Sequence, residues 1–181
     1  MTVVASSTAG APTWLLLETR SGSAVPTTDS LVLARSDLAP VRWWASIGSA
    51  RLSASATRDS IYGASISYQG RSSFAVPLPP GALLTAGMVE RIIEMLPLRI
   101  GFRAGASLLL VELGSPRAVP AEIAVERDER IDVMGRPEEC WVATLRTGAL
   151  EERLWVTKEG ARVVRTEQAV TGGTLIGELT R

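Results

Sequence analysis

Three short segments of alternating side chains follow one another near the end of the chain, and they constrain its fold most. They are Cys140 to Arg146, Leu150 to Val156 and Arg162 to Gln168. Alternation of apolar and polar residues with a period of two is typical of β-strands with one buried face. The intervening turns are too short for a parallel crossover, which needs about a dozen residues. The pattern therefore predicts an antiparallel meander, and it contains no catalytic motif.

The same alternation predicts strands along most of the chain. We predict them at Thr13 to Arg20, Asp29 to Arg35, Val41 to Ile47, two within Ala50 to Tyr68, Ser72 to Leu78, Ala104 to Val111, Ala121 to Val133, and Leu175 to Leu179. Residues 1–12 are mostly small and polar, and are predicted to be a flexible lead-in. Trp43 and Trp44 are adjacent, so they point to opposite faces of their strand, which predicts that both faces are covered there.

One segment has a helical period instead. Within Thr85 to Leu96, apolar residues recur at Met88, Ile92 and Met95, and Pro97 ends the pattern. We predict a helix of about three turns that lays this stripe on the sheet. Its charged residues are predicted to point outward: Glu90, Arg91 and Glu94.

These patterns predict a single, mainly β domain over residues 13–181. With about ten strands and one helix at about residues 85–96, the expected architecture is a strongly curved antiparallel sheet, forming a half-barrel or barrel with the helix packed against it. A chain of 181 residues can bury a core without disulfides.

Composition excludes several function classes. The chain has no histidine and one cysteine, which rules out Ser-His and Cys-His catalysis, an internal disulfide and a thiolate metal cluster. We predict no metal site and no cofactor. The net charge is zero, so nothing argues for nucleic acid as a partner. No apolar run approaches the roughly 18–20 residues of a membrane-spanning helix.

For two further features, a purely structural role is favoured over a functional one. The charge run Glu126 to Arg130 could supply an acid–base pair, but an exposed strand face that neutralises itself is favoured. Cys140 follows Glu138 and Glu139, and acidic neighbours raise a thiol pKa, so a buried, inert cysteine is favoured over a reactive one.

The aromatic residues are the best candidates for a binding site, because ligand clefts favour apolar and aromatic walls. With the helical stripe, the candidates for an apolar pocket are Trp43, Trp44, Tyr62, Tyr68, Met88, Ile92, Met95, Trp141 and Trp155. The alternative is that these residues form ordinary core.

Three motifs, taken in their order along the chain, resemble those of a protein family. They are Ser30 to Arg42 with its Ala-Pro turn, Leu-Pro-Leu within Met95 to Gly101, and the Cys-Trp-Val, Leu-Trp-Val-Thr-Lys and Arg-Val-Val-Arg strands from residue 140 onward. Together they resemble an uncharacterised family of bacterial envelope domains that is similar in fold to the lipoprotein carriers and their outer-membrane receptors. The resemblance covers Asp29 to Leu179 and departs from the family's turn at Val133 to Pro137. It implies an envelope location and an apolar cavity, and no catalytic residue.

Three functions follow as hypotheses. The first is a non-catalytic β half-barrel that binds an apolar molecule or lipid. The second is an enzyme whose reaction, such as a cyclisation, depends on pocket shape and donors such as Tyr62 or Tyr68. The third is a structural or interaction module of a larger envelope protein, using exposed sheet edges. The first ten residues lack secretory-signal features, so an envelope or periplasmic location requires an upstream signal outside this sequence; otherwise the protein is cytoplasmic. Oligomeric state is left open.

Overall fold

The structure is a computed structural model that describes residues 2–20, 26–57, 59–78, 82–85, 88–112, 115–148, 150–170 and 172–178. In this part of the chain it is mainly β, as predicted, with two antiparallel sheets and one short helix. The first sheet is a meander in chain order: β1 (Thr2–Thr8), β2 (Ala11–Arg20), β3 (Thr27–Ala34), β4 (Pro40–Ile47), β5 (Ala50–Ala56), β6 (Ser60–Ser67) and β7 (Gly70–Pro77).

The second sheet follows the same principle and is separated from the first along the chain. Its strands are β8 (Ala82–Thr85), β9 (Arg103–Glu112), β10 (Ser115–Val133), β11 (Arg136–Thr147), β12 (Leu150–Thr157), β13 (Val163–Val170) and β14 (Gly173–Glu178), in the spatial order β14 to β8. The helix α1 (Val89–Glu94) lies between β8 and β9 in sequence.

The predicted strongly curved half-barrel does not form. Within the residues that the structure describes, neither sheet is closed or strongly curled, and each runs in order from one edge strand to another. After β7 the chain starts a new sheet instead of extending the first one. Alternation within a strand reports which side chains share a face, but it does not report which sheet the strand joins.

Contacts divide the chain into two compact units, where the sequence predicted one domain. The first unit is Met1–Met88 with Ser107–Val119, and the second is Val89–Ala106 with Pro120–Arg181. The first unit holds the whole first sheet and β8. The second holds α1 and β11 to β14, while β9 and β10 contribute residues to both.

The predicted lead-in at residues 1–12 is instead structured. Its first part is β1, which pairs antiparallel with β2 from Thr2 opposite Leu17 to Thr8 opposite Ala11. Ala9 and Gly10 both have positive φ, of 49° and 84°, as the favoured two-residue hairpin turn requires. The sequence did not predict β1, because its mostly exposed residues lack an apolar face.

The predicted helix is shorter than expected. It begins at Val89 and ends at Glu94, while Thr85 belongs to β8, and residues 86 and 87 lie outside the described part. Val89, Ile92 and Ile93 are buried at the spacing of one helical face. Of the predicted stripe, Met88 and Ile92 are buried and Met95 is half-buried.

Glu94 does not point outward as predicted. Its side chain is only 12% exposed and accepts a hydrogen bond at Oε1 from the backbone N–H of Val163 on β13, at 2.8 Å. Its Oε2 lies 2.6 Å from Nη1 of Arg91. The Glu94 carboxylate thus links the helix to β13 by accepting a hydrogen bond from the backbone N–H of Val163.

This contact makes a prediction for the helix. Glu94→Ala should lower the free energy of unfolding by about 1–3 kcal/mol, because the Val163 N–H loses its acceptor. Glu94→Gln keeps a carbonyl oxygen there and should cost less. Urea denaturation measures both, with Glu90→Ala, at an exposed position of the same helix, as a control that should change stability by less than about 0.5 kcal/mol. Equal effects at positions 90 and 94 would contradict the assignment.

Candidate ligand-binding face of the first sheet

The nine residues predicted to line a pocket fall into both units. In the first unit, Trp43 and Met88 are buried, whereas Trp44, Tyr62 and Tyr68 are exposed. The second unit holds the others: Ile92, Met95, Trp141 and Trp155.

The candidates in the second unit are core or half-buried residues. Trp155 packs in a cluster with Cys140, Val142 and Val164, and its Nε1 donates to Glu129 at 3.3 Å. Ile92 is fully buried. Met95 and Trp141 are half-buried, and the Lys158 ammonium lies 4.5 Å from the centre of the Trp141 ring. These contacts fit the alternative that these residues form ordinary core.

Trp43 and Trp44 point to opposite faces of β4, as their adjacency predicted. Trp43 is 2% exposed and Trp44 is 37% exposed. The inner face, which carries Trp43, holds most of the buried apolar residues of the first sheet: Leu16, Leu31, Leu33, Ala45, Leu52, Ala54, Ile61 and Val76. The opposite face is less well covered than predicted at β4, because Trp44 remains partly open.

We call the outward positions of β4 to β7 the open face. They are Arg42, Trp44, Ser46, Arg51, Ser53, Ser55, Tyr62, Ala64, Ile66, Arg71, Ser73 and Ala75. Half of them are serine or alanine, so the six larger side chains stand above a low floor. The open face contains three arginines and no acidic residue.

Strand register sets the positions of the large residues. Trp44 lies opposite Ser53 on β5, which lies opposite Ala64 on β6. One step along the strands, Ile66 lies between Arg51 and Arg71 in the next cross-strand row. Neighbouring strands are about 4.8 Å apart, so these side chains share one continuous surface.

A groove of about 390 Å³ lies on this surface. Its walls come from β3 to β7, and its lining includes Trp44, Ser53, Ala64, Ile66, Arg51 and Arg71. Ile66 is 51% exposed, so much of its side chain is open to a ligand in the groove. The volume lies at the lower end of the 300–1,000 Å³ that is typical of small-molecule sites. Of the nine predicted pocket residues, Trp44 lines this groove.

The tyrosines do not form a closed catalytic pocket. Tyr62 is 49% exposed on the open face, and Tyr68 is 88% exposed in the turn after β6. Shape-driven catalysis needs donors held in a dry, enclosed site. Neither hydroxyl is placed in such a site.

A carboxylate that sequence analysis overlooked lies on the inner face of the same sheet. Asp29 on β3 accepts hydrogen bonds from Trp43 Nε1 at 2.6 Å and from Thr85 Oγ1 at 2.7 Å. Burial raises the pKa of the Asp29 carboxyl above its usual 3.8, and the charge of Glu18, opposite it on β2, raises it further, while the bonds from Thr85 and Trp43 lower it. The sequence signal that could have identified it is its position two residues before Leu31, which places both side chains on the same face of β3. The carboxylate joins β3, β4 and β8 within the first unit.

The charged residues Glu126 to Arg130 on β10 form ion pairs, as expected for an exposed strand face that neutralises itself. Arg127 pairs with Glu129 at 3.0 Å, and Lys158 pairs with Asp128. A bulge at Glu126 shifts the register of β10 between Val125 and Arg127, so strict alternation of faces does not continue through this residue. Oε1 of Glu126 forms an ion pair with Nη2 of Arg103, at 3.2 Å.

Cys140 is fully buried in the second unit. Burial raises the pKa of its thiol to about 11, and Glu138, Glu139 and Glu129 raise it in the same direction. A thiol with this pKa is almost entirely protonated at neutral pH and is a poor nucleophile. The prediction of a buried, packed cysteine is confirmed.

Across the described residues, no group of three or more cysteine, aspartate and glutamate side chains is arranged to hold a metal ion. Among the same residues, no helix is long and apolar enough to cross a membrane. Comparison with protein-family models, curated proteins and solved structures finds no match.

Proposed function

We propose that this protein is a non-catalytic binding module that holds an apolar or lipid-like molecule in the groove on the open face. The observation that carries the proposal is the pair of large apolar side chains, Trp44 and Ile66, left partly exposed above a floor of Ser53 and Ala64 within one groove.

The arrangement suits an alkyl chain. Small residues between two large ones leave a depression in which a chain of methylene groups contacts side chains from below and from both sides. Each buried CH₂ group contributes about 0.8 kcal/mol, so even partial burial of a medium-length chain gives measurable affinity. Because the groove is open on one side, ligand exchange needs no movement of the sheet.

A titration tests this proposal. Isothermal titration calorimetry of the parent with dodecanoate and with dodecyl maltoside, each below its micellar concentration, should show saturable binding of at least one. Trp44→Ser should weaken that binding about tenfold, because truncating a central aromatic contact costs more than about 1 kcal/mol. Tyr68→Ser, in an exposed turn outside the groove lining, is the matched control and should bind like the parent.

Two results would contradict the proposal. One is the absence of saturable binding of either compound to the parent. The other is equal affinity of the parent and Trp44→Ser, which would place any alkyl binding elsewhere on the chain.

A second candidate function is strand addition at the edge of the second sheet. All six residues of β14 are exposed, and the apolar side chains of Leu175 and Ile176 are 62% and 52% exposed. An exposed, apolar edge strand can pair with a strand of another chain. Sedimentation velocity over a hundredfold range of concentration tests self-association, and Ile176→Lys should abolish it; a constant monomer mass would remove self-association through this edge.

We also propose a location in the bacterial envelope, supported by the motif resemblance described above. Fractionation of the native cells, followed by detection of the protein in the periplasmic or envelope fraction, checks it. Recovery in the cytoplasm alone would overturn it.

A further inference from the structure

We propose that the groove selects amphipathic molecules with an anionic head group, a carboxylate or a phosphate, over neutral and cationic ones. This inference rests on the proposed function and names the class of molecule that the groove takes. It depends on where the arginines of the open face lie and on what surrounds them.

Arg51 and Arg71 flank Ile66 in one cross-strand row, on β5 and β7. Two strand spacings put their backbones about 10 Å apart. Both arginines line the groove, and an arginine side chain is long enough to reach over the intervening position. A carboxylate or phosphate above Ile66 can therefore be contacted from both sides, and guanidinium groups match the geometry of such oxyanions.

These two arginines are not neutralised by the protein. In the described part of the chain, neither forms an ion pair, whereas Arg103, Arg127 and Arg146 each pair with a glutamate. The carboxylates of the first sheet's strands, Glu18 and Asp29, belong to its inner face. An anion supplied by a ligand would complement a charge that the open face leaves unbalanced.

The two ends of the open face differ in charge. The turns with acidic residues, at Asp37 and Asp59, lie at the end of the strands near Arg42 and Tyr62. At the opposite end, the turns after β4 and β6 are Gly48-Ser49 and Tyr68-Gln69, with no acid. Arg51 and Arg71 lie at this second end. The end of the open face beside Ile66 is therefore basic, and the groove continues from there toward Trp44. An anionic head group would lie at the basic end and its alkyl chain would extend along the groove.

Four ligands with one alkyl chain and different head groups test the inference by calorimetry: dodecanoate, dodecyl phosphate, dodecyl maltoside and dodecyltrimethylammonium. The parent should bind the two anionic compounds at least about fivefold more tightly than the maltoside, because exposed ion pairs contribute up to about fivefold each. This preference should shrink at 1 M salt, where the Debye length falls to about 3 Å.

Variants separate charge from structure. The double variant Arg51→Gln/Arg71→Gln should lose the anionic preference and retain maltoside binding, which also shows that it is folded. Arg51→Lys/Arg71→Lys should keep most of the preference. Arg136→Gln removes an exposed arginine of the second unit that does not line the groove, and should behave as the parent.

The outcomes distinguish the two proposals. Equal affinity for all four head groups overturns the anionic selectivity and leaves the binding function standing. No binding of any alkyl compound overturns both. Inorganic phosphate is the remaining arm: if it binds as tightly as dodecyl phosphate, the site is a simple anion site and the lipid-like function fails.

Discussion

Ile92→Asp should lower the free energy of unfolding by at least about 3 kcal/mol, the largest effect expected for a single substitution in the helix. Ile92 is fully buried on the face of α1 that also buries Val89 and Ile93. Removing a core isoleucine costs about 2–5 kcal/mol, and the new carboxylate loses its hydration without gaining a partner. Small domains have about 5–15 kcal/mol of stability, so the variant should be largely unfolded or strongly destabilised.

Melting temperature and urea denaturation measure this effect. Ile92→Val keeps most of the apolar contact and should cost only about 0.5–1.5 kcal/mol. If α1 were instead a mobile lid, Ile92→Asp would leave the melting temperature nearly unchanged and would act on ligand uptake alone. That result would show that the helix does not belong to the folded core.

Asp29→Ala should destabilise the protein by about 2–4 kcal/mol. Two buried donors, the Trp43 indole N–H and the Thr85 hydroxyl, both lose their acceptor, and each unsatisfied donor costs about 1–3 kcal/mol. Asp29→Asn is the matched control: its amide oxygen accepts from Trp43, and its NH₂ donates to the Thr85 oxygen. The loss of stability should therefore be much smaller for the asparagine variant. Equal losses for the two variants would show that the hydrogen bonds do not carry the effect.

The pH dependence of the same variants has a defined sign. The pKa of Asp29 is raised in the folded protein, so its folded form holds a proton more tightly than the unfolded chain does. The corresponding stability is present below its ordinary pKa of 3.8 and is lost as the pH rises through the raised folded value. The parent should therefore lose stability relative to Asp29→Asn as the pH is raised from about 4 toward neutral. Urea denaturation across this range measures the difference, and a constant difference would contradict the raised pKa.

Most strands could be predicted from the sequence because alternation is a local property. In β11 the alternation begins near Cys140, and hairpin turns of two residues fix which neighbour pairs with it. Met134 and Gly135 both have positive φ between β10 and β11. The bulge at Glu126 could not be predicted, because an extra residue in one strand appears only when its partner is known.

The division into two sheets was not predictable by the same reasoning. The alternation of side chains in β7 does not state whether the following strand pairs with it or begins a new sheet. The long strands β9 and β10 contribute to both units, which no local pattern reports. Chain organisation of this kind depends on contacts between residues that are distant in sequence.

Little of the candidate site could be predicted from the sequence. Aromatic residues were expected to line a pocket, and Trp44 does line the groove, but Trp43 and Trp155 are core. The sequence alone does not distinguish Arg51 and Arg71 from other surface residues, because an isolated arginine on a strand is usually only solvated. Their significance depends on cross-strand register with Ile66 and on the fact that, among the residues described, neither forms an ion pair.

The adjacent Trp43 and Trp44 give the molecule two optical reporters on opposite sides of one strand. Trp43 is buried, with its indole nitrogen bonded to Asp29, so its emission follows the integrity of the core. Trp44 contacts solvent in the groove, so its emission and its quenching by acrylamide follow occupancy of the open face. Because the chain has five tryptophans, the difference in emission between the parent and each single Trp→Phe variant gives the contribution of that residue. A ligand that alters the Trp44 signal and leaves the Trp43 signal unchanged is thereby located on the outer side of the sheet, without any structure of the complex.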